Sequence, residues 1–143
     1  MASSRRALVV GVNDYPQDPL AFCVRDAEEI AAALSMPEYL FEVQTLLNQD
    51  ATRRQAKAAI EDLLKQDAEF IIFYFSGHGR TTDSGVYLST VDADPLEPGI
   101  GLDYLRRVIL ARAGRNKRVV IILDCCHAGA ATLRDSAEIA INI

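Results

Sequence analysis

The chain has 143 residues, enough for one domain and too few for two of ordinary size. Half of it is hydrophobic and 24% is charged, the balance of a globular protein rather than a disordered one. With 15 basic and 20 acidic residues the formal net charge is −5, which argues against a nucleic-acid footprint and against a membrane-surface role. No apolar run reaches the ~18 residues a membrane span needs. Ala7–Val10 is too short for a signal-peptide core. Three cysteines, two of them adjacent, make a poor disulfide framework, so a reduced, cytoplasmic setting is expected.

Strands and helices alternate along the chain. Arg6–Val12 reads as a buried strand, and Asn13–Pro19, with Asn, Asp and two prolines, as a turn segment. Cys23–Leu34 carries apolar residues at 27, 30, 31 and 34, one face of a helix, and Pro37 closes it. Phe41–Leu47 reads as a second strand. Thr52, with Gln55 three residues on, predicts an N-cap for a helix over Arg53–Gln66 that buries 56, 60, 63 and 64. Phe70–Phe75 is apolar at every position, the pattern of a strand covered on both faces.

Val86–Thr90 is a short strand or hairpin arm. Leu102–Ala113 is a third helix, facing inward at 102, 105 and 109 and stopped by Gly114. Arg118–Leu123 is another apolar strand. The tail, 130–143, lacks a clear period and is expected to order only against another element. Strands joined by helix-length crossovers predict an α/β fold, a doubly wound and mostly parallel sheet flanked by helices, as a single domain over 1–143.

Ligands of such sheets bind beyond the carboxyl ends of the strands. Both histidines and two of the three cysteines fall there, in Ser76-Gly77-His78-Gly79 and in Asp124-Cys125-Cys126-His127-Ala128-Gly129. A cysteine thiolate beside an imidazole is a nucleophile and base pair. Gly77 and Gly79 are expected to allow a tight turn and to leave backbone N–H groups open for an oxyanion. Cys125, at the end of an apolar strand, reads as structural. The basic run from Arg106 to Arg118 reads as a solvated face. The acidic stretch around Asp83, Asp92 and Asp94 fails the EF-hand spacing and reads first as a solvated loop.

His78 precedes Cys126 by 48 residues; in caspases the histidine lies roughly 50 upstream. With Asn13 and Leu20-Ala-Phe-Cys-Val-Arg-Asp-Ala27, the two motifs resemble the large catalytic subunit of caspase-like cysteine peptidases. Metacaspases and orthocaspases are the most similar in pattern. The resemblance spans nearly the whole chain. It implies that Cys126 is the nucleophile, His78 the general acid and base, and the N–H groups of Gly79 and Cys126 the oxyanion hole. It also implies that Asp26 and Asp124 form the acidic floor of a specificity pocket lined by Cys23 and Ser76.

Two carboxylates in a pocket select a guanidinium, then an ammonium, so cleavage after Arg and then Lys is expected. True caspases, which cleave after Asp, need an arginine where Leu20 stands here. Phe22 replaces the glycine common in metacaspases, and Arg25 lies close by in sequence. The resemblance further implies peptide or protein substrates, a small catalytic subunit that this chain does not contain, and processing, for which Arg134 is the candidate bond. Calcium is the only cofactor it suggests, with Asp83, Asp92 and Asp94 as candidate ligands. The alternative is a catalytically incompetent interaction or regulatory module on the same fold.

Overall fold

The computed structural model describes residues 4–65, 67–112, 117–126 and 137–142, with Cys126 and 137–142 described as backbone. In chain order the elements are β1 (Arg5–Gly11), α1 (Cys23–Leu34), β2 (Phe41–Leu47), a 3-10 turn (Asn48–Asp50), α2 (Arg53–Lys65), β3 (Phe70–Thr82), β4 (Gly85–Leu88), β5 (Ile100–Gly101), α3 (Leu102–Arg112), β6 (Arg118–Cys126) and β7 (Ala137–Asn142). β2, β1, β3 and β6 lie side by side and parallel. The expected doubly wound, mostly parallel sheet is therefore present, with antiparallel additions at two places. β7 closes the β6 edge, and β4 with β5 forms a ribbon on the outer half of β3.

Helices cover both faces, which explains why the central strands are apolar at consecutive positions. One face buries Val9 and Tyr74 under Ala27 and Ala31 of α1. The other buries Leu8, Val10, Phe73 and Phe75 with Ile60 and Leu64 of α2 and Leu105 and Ile109 of α3. The helix faces follow the expected spacing: 56, 60, 63 and 64 are buried in α2, and 105 and 109 in α3. Thr52 caps α2 as expected, accepting the Gln55 N–H at 3.2 Å. Gly11 lets α1 approach β1 closely: a Cβ there would lie 2.7 Å from Ala27 Cβ and 2.8 Å from the Cys23 carbonyl oxygen.

Two local expectations are corrected. The glycine-rich segment after Phe75 is not a turn. β3 runs on through Ser76-Gly77-His78-Gly79 to Thr82, because β6 continues beside it to Cys126 and β4 folds back against 79–82. The short arm expected over Val86–Thr90 ends at Leu88, since Ser89 and Thr90 leave the ladder as buried loop residues. The tail orders against another element, as expected: Ala137–Asn142 forms β7 of this same sheet, paired with β6. Among the described residues, no helix is long and apolar enough to cross a membrane.

Candidate active site

The carboxyl ends of β1, β3 and β6 meet at one edge of the sheet. Register sets the geometry: Gly11 pairs with Ser76, Ser76 with Asp124, Gly77 with Cys125 and His78 with Cys126. Neighbouring strands lie about 4.8 Å apart, so the backbones of His78 and Cys126 are immediate neighbours. The Cys126 side chain and Arg134 lie outside the described residues.

His78 is buried at 8% exposure and is held from three directions. Its Nε2 lies 2.6 Å from the Asp18 carbonyl oxygen. A carbonyl only accepts, so Nε2 carries a proton. Asp18 adopts φ +53, a left-handed conformation that presents this carbonyl. The Tyr15 ring stands 4.4 Å from the imidazole, tilted by 42°. The Tyr15 hydroxyl accepts the backbone N–H of His78 at 3.0 Å and donates to the Ser89 carbonyl at 2.7 Å. On the other arm of that pair, the Ser89 N–H donates to the His78 carbonyl at 2.9 Å. A phenol thus bridges His78 and Ser89 just beyond the end of the β3–β4 ladder.

Gly77 has no side chain for this reason: a Cβ there would collide with the Tyr15 hydroxyl and lie 2.8 Å from the Phe75 ring. The direction of the Gly79 N–H also follows. Successive strand residues turn their N–H and C=O to opposite sides. Ser76 offers its carbonyl to Val12 on the β1 side, and His78 faces the same side toward Ser89. Gly79, next in line, turns its N–H toward the β6 side, where Cys126 ends the strand.

The loop that carries Tyr15 and Asp18 is pinned at its base. Asn48, at φ +47, accepts the N–H groups of Asn13 and Asp14 at 2.9 and 3.2 Å. Asn13 in turn accepts the N–H groups of Cys23 and Val24 at 2.9 and 3.2 Å, capping α1 from a distance. Phe22, the residue before α1, provides no side-chain cap of its own. A cleft of about 520 Å³ opens beside His78, lined by Tyr15, Gln17, Gly79, Arg80 and Asp94 among others. A larger cavity of about 770 Å³ lies elsewhere, between α3 and the β4–β5 ribbon, and is lined by neither histidine nor cysteine.

Two acidic residues act on Tyr74 of β3. Asp124 and Asp26 are both half-buried. The Tyr74 hydroxyl donates to Asp124 Oδ2 at 3.3 Å. Burial foremost, then the Asp124 carboxylate and more weakly that of Asp26, push the Tyr74 phenol above its ordinary range, while the Ser76 hydroxyl opposes them. Tyr74 therefore stays protonated and remains a donor at neutral pH. Ser76 Oγ is fully buried without a hydrogen bond of good geometry among the described residues. Cys23 is buried, with its backbone against Gly11. Arg25 is turned away, pairing with Glu29 at 3.2 Å on the exposed side of α1. Cys125 is a core residue, as expected.

Two of the three calcium candidates bond backbone N–H groups. Asp92 Oδ1 accepts the Arg53 N–H at 3.0 Å and so caps α2 beside Thr52. Asp94 Oδ1 accepts the N–H groups of Leu96 and Glu97, both at 2.8 Å. Asp83 is exposed in the β3–β4 turn. Among the described residues no three His, Cys, Asp or Glu side chains converge as a metal site.

The caspase-domain family model matches residues 4–141. The chain belongs to the caspase-domain family of cysteine peptidases. A structural-genomics protein of Geobacter sulfurreducens superposes with a TM-score of 0.73 at 26% identity, over 88% of this chain and 52% of its own. The Drosophila initiator caspase Dronc superposes at 0.62 and 11% identity, over 91% of this chain and 58% of its own, and carries the likeness of fold alone. The chain thus spans little more than half the length of these two caspase-fold structures. No curated protein matches it.

Sequence reasoning missed Tyr15, Asp18, Asn48 and Ser89. Asp18 and Ser89 act through backbone carbonyls, which leave no trace in residue type. Asn48 is the kind of residue that tolerates a left-handed backbone and bonds loop N–H groups, a signal that was legible. Tyr15 sits in the turn segment with no periodicity to mark it.

Proposed function

We propose that this domain is the catalytic part of a cysteine endopeptidase that cleaves after Arg, and next after Lys, through a Cys126–His78 dyad. The observation that carries the reading is the pairing of His78 with Cys126 at the carboxyl edge of the sheet, two register steps from Ser76 and Asp124.

The chemistry follows from the site. With Nε2–H committed to Asp18, Nδ1 of His78 accepts the thiol proton. The Cys126 sulfur attacks the scissile carbonyl carbon, and the carbonyl π electrons move onto its oxygen. The N–H groups of Gly79 and Cys126 hold that oxyanion. The tetrahedral species collapses, the C–N bond breaks, and Nδ1–H of His78 protonates the leaving amine. A thioester remains. Nδ1, now deprotonated, takes a proton from water, whose oxygen adds to the thioester carbonyl. The thiolate leaves, and the peptide acid departs.

Asp26 and Asp124, with Cys23 and Ser76, form the pocket for the residue before the cut bond. The Tyr74 hydroxyl on Asp124 Oδ2 leaves that carboxylate's other oxygen for a guanidinium. The small catalytic subunit would complete the substrate cleft, and self-processing would cut after Arg134. Fluorogenic amides placed after Arg, Lys or Asp test the reading in the full-length protein beside Cys126→Ala. Turnover is expected after Arg, weaker after Lys, absent after Asp and lost in Cys126→Ala. Turnover after Asp would overturn the pocket assignment, and its survival in Cys126→Ala would overturn the dyad. No turnover in the full-length protein favours the interaction-module alternative.

A further inference from the structure

We propose that Tyr15 is a positioning residue of the reaction: its hydroxyl sets where His78 and Gly79 stand relative to Cys126. The inference rests on the dyad reading above.

Tyr15 is 7% exposed and touches the dyad histidine at both backbone and ring. In an ordinary antiparallel pair, His78 and Ser89 would exchange two direct backbone hydrogen bonds. Here only the Ser89 N–H to His78 carbonyl bond is direct. The other is relayed through the phenol, with legs of 3.0 and 2.7 Å. The relay wedges β3 away from the residues after β4 on the side opposite β6, which biases His78 and Gly79 toward Cys126. Gly77 is small because the wedge occupies the place of its side chain. The wedge and the Asp18 carbonyl belong to one loop, whose base is fixed by Asn48. One rigid loop therefore fixes the histidine's backbone, ring face and tautomer together.

A phenyl ring retains the packing but cannot relay the bond. In Tyr15→Phe the His78 N–H and Ser89 carbonyl are free to close directly, drawing His78 and Gly79 toward Ser89. Displacements on that scale cost as much as about a hundredfold in rate without loss of fold.

The test is the rate at which iodoacetamide alkylates Cys126 at neutral pH, located by peptide mass, in the full-length protein. Wild type, His78→Ala and Tyr15→Phe are compared, with Ile109→Val on α3 as a packing control remote from the site. His78→Ala is expected to slow the reaction, Tyr15→Phe to slow it at least about tenfold, and Ile109→Val to leave it unchanged. In turnover, the loss in Tyr15→Phe falls on kcat, with KM within about twofold of wild type. A His78-dependent rate that is unchanged in Tyr15→Phe overturns the proposal alone. So does an equal loss in Ile109→Val. Identical rates in wild type and His78→Ala overturn the dyad reading, and the proposal with it.

Discussion

Replacing His78 by alanine lowers kcat for an Arg substrate by about a thousandfold, within the 10²–10⁴ range that a positioned acid and base contributes. The size follows from its double duty. In the proposed reaction His78 removes the thiol proton and later delivers it to the leaving amine, so its loss would affect both halves of acylation. KM should move far less, because the imidazole binds no part of the substrate before the chemistry begins. The fold should tolerate the change. His78 lies at the carboxyl end of the sheet, its backbone bonds to Tyr15 and Ser89 survive the substitution, and the apolar core lies further along the strands. Steady-state kinetics beside a thermal unfolding curve check this. A loss of less than about tenfold would mean that the imidazole is not the acid and base.

Asp124→Asn is expected to lower kcat/KM after Arg by about ten- to a hundredfold. It removes one charge-assisted partner of a guanidinium, a contact worth roughly 1.5–3 kcal/mol. Asparagine is isosteric, and its carbonyl oxygen can still accept the Tyr74 hydroxyl, so the pocket wall keeps its shape. The loss is therefore electrostatic, and cleavage after Lys should suffer alongside cleavage after Arg. The Arg, Lys and Asp panel reads it directly. An Asn variant that cleaves after Arg as well as wild type would remove Asp124 from the pocket.

The helices and the parallel strands were readable because their signals are local. Cys23–Leu34 and Phe41–Leu47 have in the structure the bounds their periodicity predicts. α2 and α3 begin where predicted, at Arg53 and Leu102. What sequence reasoning lost were consequences of pairing. Glycines in Ser76-Gly77-His78-Gly79 suggest a turn when read alone. Two neighbouring strands override that tendency, and one glycine is needed for a tyrosine sixty-two positions earlier. β7 has no intrinsic period because its partner, β6, determines it.

The site divides in the same way. His78, Gly79, Cys126, Ser76 and Asp124 cluster in two motifs and could be found by residue type. The β3–β6 register places Ser76 beside Asp124 and His78 beside Cys126. Their supports could not be found so. The Asp18 and Ser89 carbonyls belong to every residue type, and Asn13 caps α1 across a loop of nine residues, where a local rule looks next to the helix. Asp92 and Asp94, in a stretch that reads in sequence as a solvated acidic loop, hold a helix start and a turn through single carboxylate oxygens, roles that residue type alone does not reveal.

The central claim is that Cys126 is a nucleophile facing a pocket for basic residues. Covalent capture tests it most directly: an irreversible thiol-directed peptide with Arg at its reactive end, applied to the full-length protein, followed by peptide mapping. The account predicts stoichiometric labelling at Cys126, sparing Cys23 and Cys125, abolished in Cys126→Ala and outcompeting the same probe ending in Asp. Labelling scattered over the cysteines, or preference for the Asp probe, would contradict it.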